Sequence, residues 1–132
     1  MTIKNKFLRI LSFFTLPAIV FIINLPLGFV YEAYPSFDIP MHFLGGVSIA
    51  LTSVLFLKLF EEEKMLKIKN EFLFLFIVTC FVAFIAVFWE FYELILLIMF
   101  DLDYILGIED TLLDLAMGLT GGFVGAAIFR KL

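Results

Sequence analysis

Three pairs of polar residues recur at helical spacing: Asp38 with His42, Glu90 with Glu93, and Asp110 with Asp114. Residues three or four apart lie on one face of a helix, so three helices could each present two such groups in a single direction. His42 is the only histidine in the chain. An imidazole among several carboxylates is a donor set for a divalent ion such as Zn, Mn or Fe, and Glu and His ligands projecting into a helical bundle are a known arrangement. The same groups are the usual general acids and bases. Glu90, Asp114 and His42 are therefore the candidate catalytic residues. His42, Glu90, Glu93, Asp110 and Asp114 are the candidate metal ligands. Asp38 lies at the boundary of its helix, where it can equally be read as an N-cap.

The elements that would carry these residues are membrane spans. The chain has 132 residues, 64% of them hydrophobic, 18% aromatic and only 17% charged, with a mean hydropathy of +1.13. Nineteen phenylalanines leave too little polar surface for a soluble domain, and a single cysteine excludes a disulfide scaffold. The expected fold is all-α, one membrane domain over 1–132 with four transmembrane helices at about 7–31, 40–59, 72–100 and 111–129. Pro17 and Pro26 interrupt the first, which resembles a signal peptide but is too long and lacks a small-x-small cleavage site, so it is read as retained. The third holds 29 residues from Phe72 to Phe100, ~43 Å of helix against a hydrocarbon core of ~30 Å, so it must tilt or protrude.

Charge orients the spans. With four crossings, all nine basic residues (Lys4, Lys6, Arg9, Lys58, Lys64, Lys67, Lys69, Arg130, Lys131) fall on one side, whereas the opposite loops, 31–39 and 101–110, contain none. The positive-inside rule then puts both termini in the cytoplasm of a multi-pass cell-membrane protein. Tyr31, Tyr34, Tyr92, Tyr104 and Trp89 would lie at the outer boundary as an aromatic belt. In that frame His42 sits just below the outer surface. Glu90 rises ~27 Å from Phe72 to meet it, and Asp114 lies in the first turn of the descending fourth helix. Glu32, Asp101, Asp103 and Glu109 add acid in the loops above.

An ionisable residue inside a span costs a few kcal/mol on insertion scales, of order 2.5–3.5, and marks a functional site by default. Crowded carboxylates with no Lys or Arg at their level cannot all stay ionised cheaply. Either some are protonated and hydrogen-bonded, or a cation sits among them. The plainer reading is a structural polar network with Asp38 and Asp110 as helix caps.

The order Asp38-Ile39-Pro40-Met41-His42 with Gly45-Gly46, then Trp89-Glu90-Phe91-Tyr92-Glu93, then Asp110-Thr111-Leu112-Leu113-Asp114 resembles the YjdF-like family of small membrane proteins. It is also similar to the VanZ-like family, in which Asp-x-x-x-His opens one helix, Glu stands in the next, and Asp-x-x-x-Asn-x-x-Gly-x-x-x-Gly lies in the last. Asp114, Gly121 and Gly125 fit that last pattern, but Gly118 stands where Asn is usual, so the YjdF-like pattern is the nearer one. The resemblance spans residues 38–125 and implies a membrane protein without supplying a reaction.

Three functions follow. The first is an outward-facing site, using a divalent metal, that acts on or binds a lipid or polyprenyl-linked head group. The second is a proton or cation transport component. The third is a non-catalytic scaffold or accessory subunit. Gly118/Gly122, Gly121/Gly125 and Gly46/Ala50 are small-xxx-small pairs suited to close helix packing, within the chain or in a homo-oligomer. The net charge of −4, with no basic face, argues against nucleic acid. Cys80 is expected to be a small buried residue, and Glu61-Glu62-Glu63 a solvated hairpin beside basic residues that could touch anionic lipids.

Overall fold

The computed structural model describes residues 3–33, 37–100 and 107–131. The chain is all-α, with helices α1 (Ile3–Phe13), α2 (Thr15–Ala33), α3 (Asp38–Glu62), α4 (Glu71–Phe100) and α5 (Ile108–Phe129). Four helical stretches are long and apolar enough to cross a membrane: Asn5–Asn24, Asp38–Glu62, Glu71–Leu96 and Ile108–Phe129. Their outer faces carry exposed Phe7, Ile22, Phe72, Phe84 and Ile98, as expected where the surrounding solvent is hydrocarbon. Tyr34, Asp101, Asp103, Tyr104 and the side chains of Tyr31 and Glu32 lie outside the described residues.

The first apolar stretch breaks at Phe14, between α1 and α2. Pro17 has no N–H to offer the carbonyl four residues back, which is that of Phe13. Thr52 of α3 supplies the missing donor, its hydroxyl reaching the Phe13 oxygen at 2.8 Å. A buried hydroxyl on a neighbouring helix thus satisfies a backbone group that the bilayer could not.

The centre of the bundle is the α3–α5 crossing, built on absent side chains. A Cβ on Gly46 would strike the backbone of Gly118, and one on Gly121 would strike the carbonyl of Phe43. One on Gly125 would come within 2.9 Å of the Ala50 Cβ, and one on Gly122 within 2.7 Å of Val82 Cγ1 on α4. Such close approach is what small residues contribute in membranes, where apolar burial alone gives no drive for helices to associate. These glycine faces are buried inside the protomer. Below them Ala50, Val54, Leu57, Phe74, Val78, Val82 and Ala126 form the apolar core.

At the end of the bundle holding the α3–α4 hairpin, ion pairs join the helices. Arg9 of α1 grips Glu62 of α3 through both guanidinium nitrogens, one at 2.7 Å. Lys6 pairs with Glu63 at 3.0 Å, and Arg130 with Glu71 at 2.9 Å. Glu61 accepts the Ile68 N–H at 3.0 Å. The Glu61–Glu63 run is exposed, as a solvated hairpin should be, and two of its carboxylates also tie α3 to α1. Lys64, in the left-handed region at φ 59°, ends α3.

Three further expectations are corrected. Asp38 does not cap α3. The N-cap is Phe37, without a side-chain cap bond, and Asp38 lies in the first turn. Asp110 does not cap α5 either, since Gly107 holds that position and the helix starts earlier, at Ile108. Cys80 is exposed on the outer face of α4 rather than buried, because the inward side of that helix is taken by Phe74, Val78 and Val82.

Candidate metal centre

At the end of the bundle opposite the ion pairs, α3, α4 and α5 bring their polar residues together around one imidazole. His42 stands one turn into α3, and its Nε2 lies 3.3 Å from Asp38 Oδ1 of the preceding turn. The same nitrogen is 3.8 Å from Asp114 Oδ1 on α5 and 4.0 Å from Glu93 Oε1 on α4. Nδ1, on the other side of the ring, is 3.9 Å from Glu90 Oε1. The position of Gly46 one turn below His42 explains this convergence, because its contact with Gly118 draws α3 and α5 together at that level.

Most of the cluster is shielded from solvent. Asp114 is 1% exposed, and the side chains of His42 and Glu90 are 9% and 12% exposed. Four buried carboxylate oxygens (Glu90 Oε1, Glu93 Oε2 and both of Asp114) have no hydrogen-bond partner. Among the described residues no lysine or arginine pairs with the cluster; every described ion pair there runs to His42. Orphaned buried carboxylate oxygens are costly, of order 1–3 kcal/mol or more each, and call for a proton or a cation.

The donors fit an ion. Ligands held ~2.1 Å from a common metal can lie no more than ~4.2 Å apart; Asp38, Glu93 and Asp114 meet that limit from Nε2, and Glu90 meets it from Nδ1. Three sets of donors lie within 4.8 Å of one another: Asp38–His42–Glu93, His42–Glu90–Asp114, and Asp38–Asp110–Asp114. Every candidate picked out from spacing belongs to at least one of these sets. Asp110, exposed, stands at the rim, while Asp114 occupies the floor.

Spacing alone missed several neighbours. Trp89 turns its indole N–H to Glu93 Oε1 at 2.6 Å, and its ring packs against Phe21 and Tyr92. The i,i+4 relation of Trp89 to Glu93 was a readable signal. Thr111, in the first turn of α5, stands beside Glu90. Asn24 of α2 lines the cavity beside the cluster, and a lone amide in an apolar stretch was its only mark.

Fold and site define a polytopic membrane protein of four apolar spans with a His/carboxylate cluster between three of its helices. Residues 4–132 match the family described as "Predicted membrane protein (DUF2238)", and the chain belongs to that family. No curated protein and no solved structure matches it.

Proposed function

We propose that the cluster is a divalent-metal site near the outer face of the membrane, and that the protein uses it to bind or act on a lipid or lipid-linked head group. The observation that carries this reading is the group of four buried carboxylate oxygens without a hydrogen bond around a single imidazole. His42, Glu90 and Asp114 would hold the ion, and the mixed N/O set favours Zn, Mn or Fe over Mg or Ca. Glu93, steadied by Trp89, would accept or return a proton. Asp38 would fix the ring of His42, as carboxylates do for ligating histidines, and Asp110 would meet the head group at the rim. The ion would supply Lewis-acid polarisation of an ester or phosphoryl oxygen.

A transport path draws less support. Below His42, the hydroxyls of Ser48, Thr52 and Ser53 are all engaged with helix carbonyls, so they do not continue the polar cluster across α3. Calorimetric titration of metal-free protein with Zn, Mn and ferrous iron tests the proposal, with circular dichroism as the check on folding. One ion per chain is expected in the wild type. Glu90→Gln and Asp114→Asn should each weaken binding at least tenfold while remaining helical. Equal binding by both variants and the wild type, or none by any, would overturn it.

A further inference from the structure

Beside the cluster, Phe14, α2, α3, α4 and Gly118 of α5 line a half-open cavity of about 420 Å³, within the ~300–1,000 Å³ of small-ligand sites. Its two ends differ. Asp38 and His42 belong to both cavity and cluster, whereas Phe14, Pro17, Ile49 and Val82 make the remote part apolar. From Asp38 to Ile49 the wall follows α3 for roughly 16 Å. Among the described residues no Cα of α2 lies within 8 Å of one in α4. The two helices meet instead through Phe21, whose ring packs on Trp89 at 5.8 Å and on Tyr92 at 6.4 Å. Below that aromatic bridge, the gap between α2 and α4 is the side from which bilayer hydrocarbon can enter.

Gly45 is the independent sign that this space is kept for an occupant. Glycine weakens a helix interior, and its neighbour Gly46 is accounted for by backbone contact with α5. A Cβ on Gly45 would meet nothing within 4 Å, yet Gly45 lines the cavity. No contact within the chain calls for it. Trp89 couples the two compartments, its ring walling the cavity while its N–H holds Glu93. At the far side of the cluster Asp114 stays 1% exposed and without a hydrogen bond.

We infer that the cavity is a chamber for one hydrocarbon chain of a membrane lipid, entered between α2 and α4, with the lipid's polar head at the His/carboxylate cluster. The amphiphilic lining dictates an occupant with an apolar tail and a polar end, and its length suits a linear chain. The inference rests on the cluster being the functional site, but chamber and ion are tested separately.

The test uses a single-chain lysophosphatidylethanolamine carrying a diazirine either in mid-chain or on its head, photolysed with the full-length protein in phosphatidylcholine nanodiscs, with metal content measured on the same samples. The chain probe should label Ile49, Val82 and Ile85, and the head probe His42 and Trp89. Gly45→Phe should lower chain labelling at least tenfold with metal content unchanged, and Gly45→Leu serves if that variant does not fold. Asp114→Asn should lose the metal and keep the chain labelling. Labelling spread over outward residues such as Phe84 and Ile22, or undiminished by filling Gly45, would sink the chamber and leave the metal site standing. Chamber labelling in a wild type that binds no metal would support the chamber and sink the metal site.

Discussion

Replacing Gly46 by alanine adds one methyl group where α3 meets α5. The new Cβ would sit 2.9 Å from both Gly118 C and Gly122 N and nearer still to the Gly118 carbonyl oxygen. All three are backbone atoms, so no side chain can rotate away. Restoring a contact of ~3.5 Å requires the helices to part by on the order of 1 Å. Overpacking of this kind costs about 1–3 kcal/mol. The displacement would also be felt one turn above, where His42 on α3 faces Asp114 on α5 at 3.8 Å. Disturbing the support of ligating side chains typically lowers metal affinity about 10–100-fold. Gly45→Ala is the internal control, since its Cβ meets nothing and better helix propensity should stabilise by up to ~1 kcal/mol. Unfolding in mixed micelles, followed by the fluorescence of the single Trp89 and paired with metal titration, measures both effects. If Gly46→Ala proves as stable and binds metal as well as Gly45→Ala, the account of the glycine seam as the device that sets the site is wrong.

Thr52→Val leaves the Phe13 carbonyl without its donor and should cost about 0.6–1.7 kcal/mol, the range of interhelical hydrogen bonds in membranes. In a Pro17→Ala background the restored backbone N–H should make the same change nearly neutral, which a double-mutant unfolding cycle would reveal. Gly122→Ala should destabilise by about 1–3 kcal/mol because its Cβ meets Val82 Cγ1 at 2.7 Å. Val82→Ala removes both Cγ atoms but keeps the Cβ, itself 2.9 Å away, so it should relieve part of the cost and give non-additive stabilities in the same assay.

The spans were legible because apolar length is the one property a bilayer demands, and α4 begins at Glu71, one residue before the Phe72 read from the sequence. Asp38/His42, Glu90/Glu93 and Asp110/Asp114 were legible as inward pairs because helical periodicity fixes which residues share a face. Capping was misread at Asp38 and Asp110. Both carboxylates turn toward the cluster, and that preference depends on partners from other helices. The break at Phe14 was hidden for a related reason. Pro17 announces a lost hydrogen bond, but only the fold places Thr52 opposite the orphaned carbonyl. Trp89 is read from sequence by residue type alone, and only the fold shows its N–H on Glu93 and its ring on Phe21. Gly45 and Gly46 are adjacent and alike in sequence, and only three-dimensional neighbours distinguish the one that packs from the one that leaves space.

The most direct test of the metal site is the X-ray absorption spectrum of the zinc-loaded wild type beside His42→Ala. The account predicts a nitrogen and oxygen shell at about 2.0–2.2 Å, with outer-shell imidazole scattering that disappears in the variant. A spectrum that is the same in both proteins, or a shell without imidazole in the wild type, would contradict it.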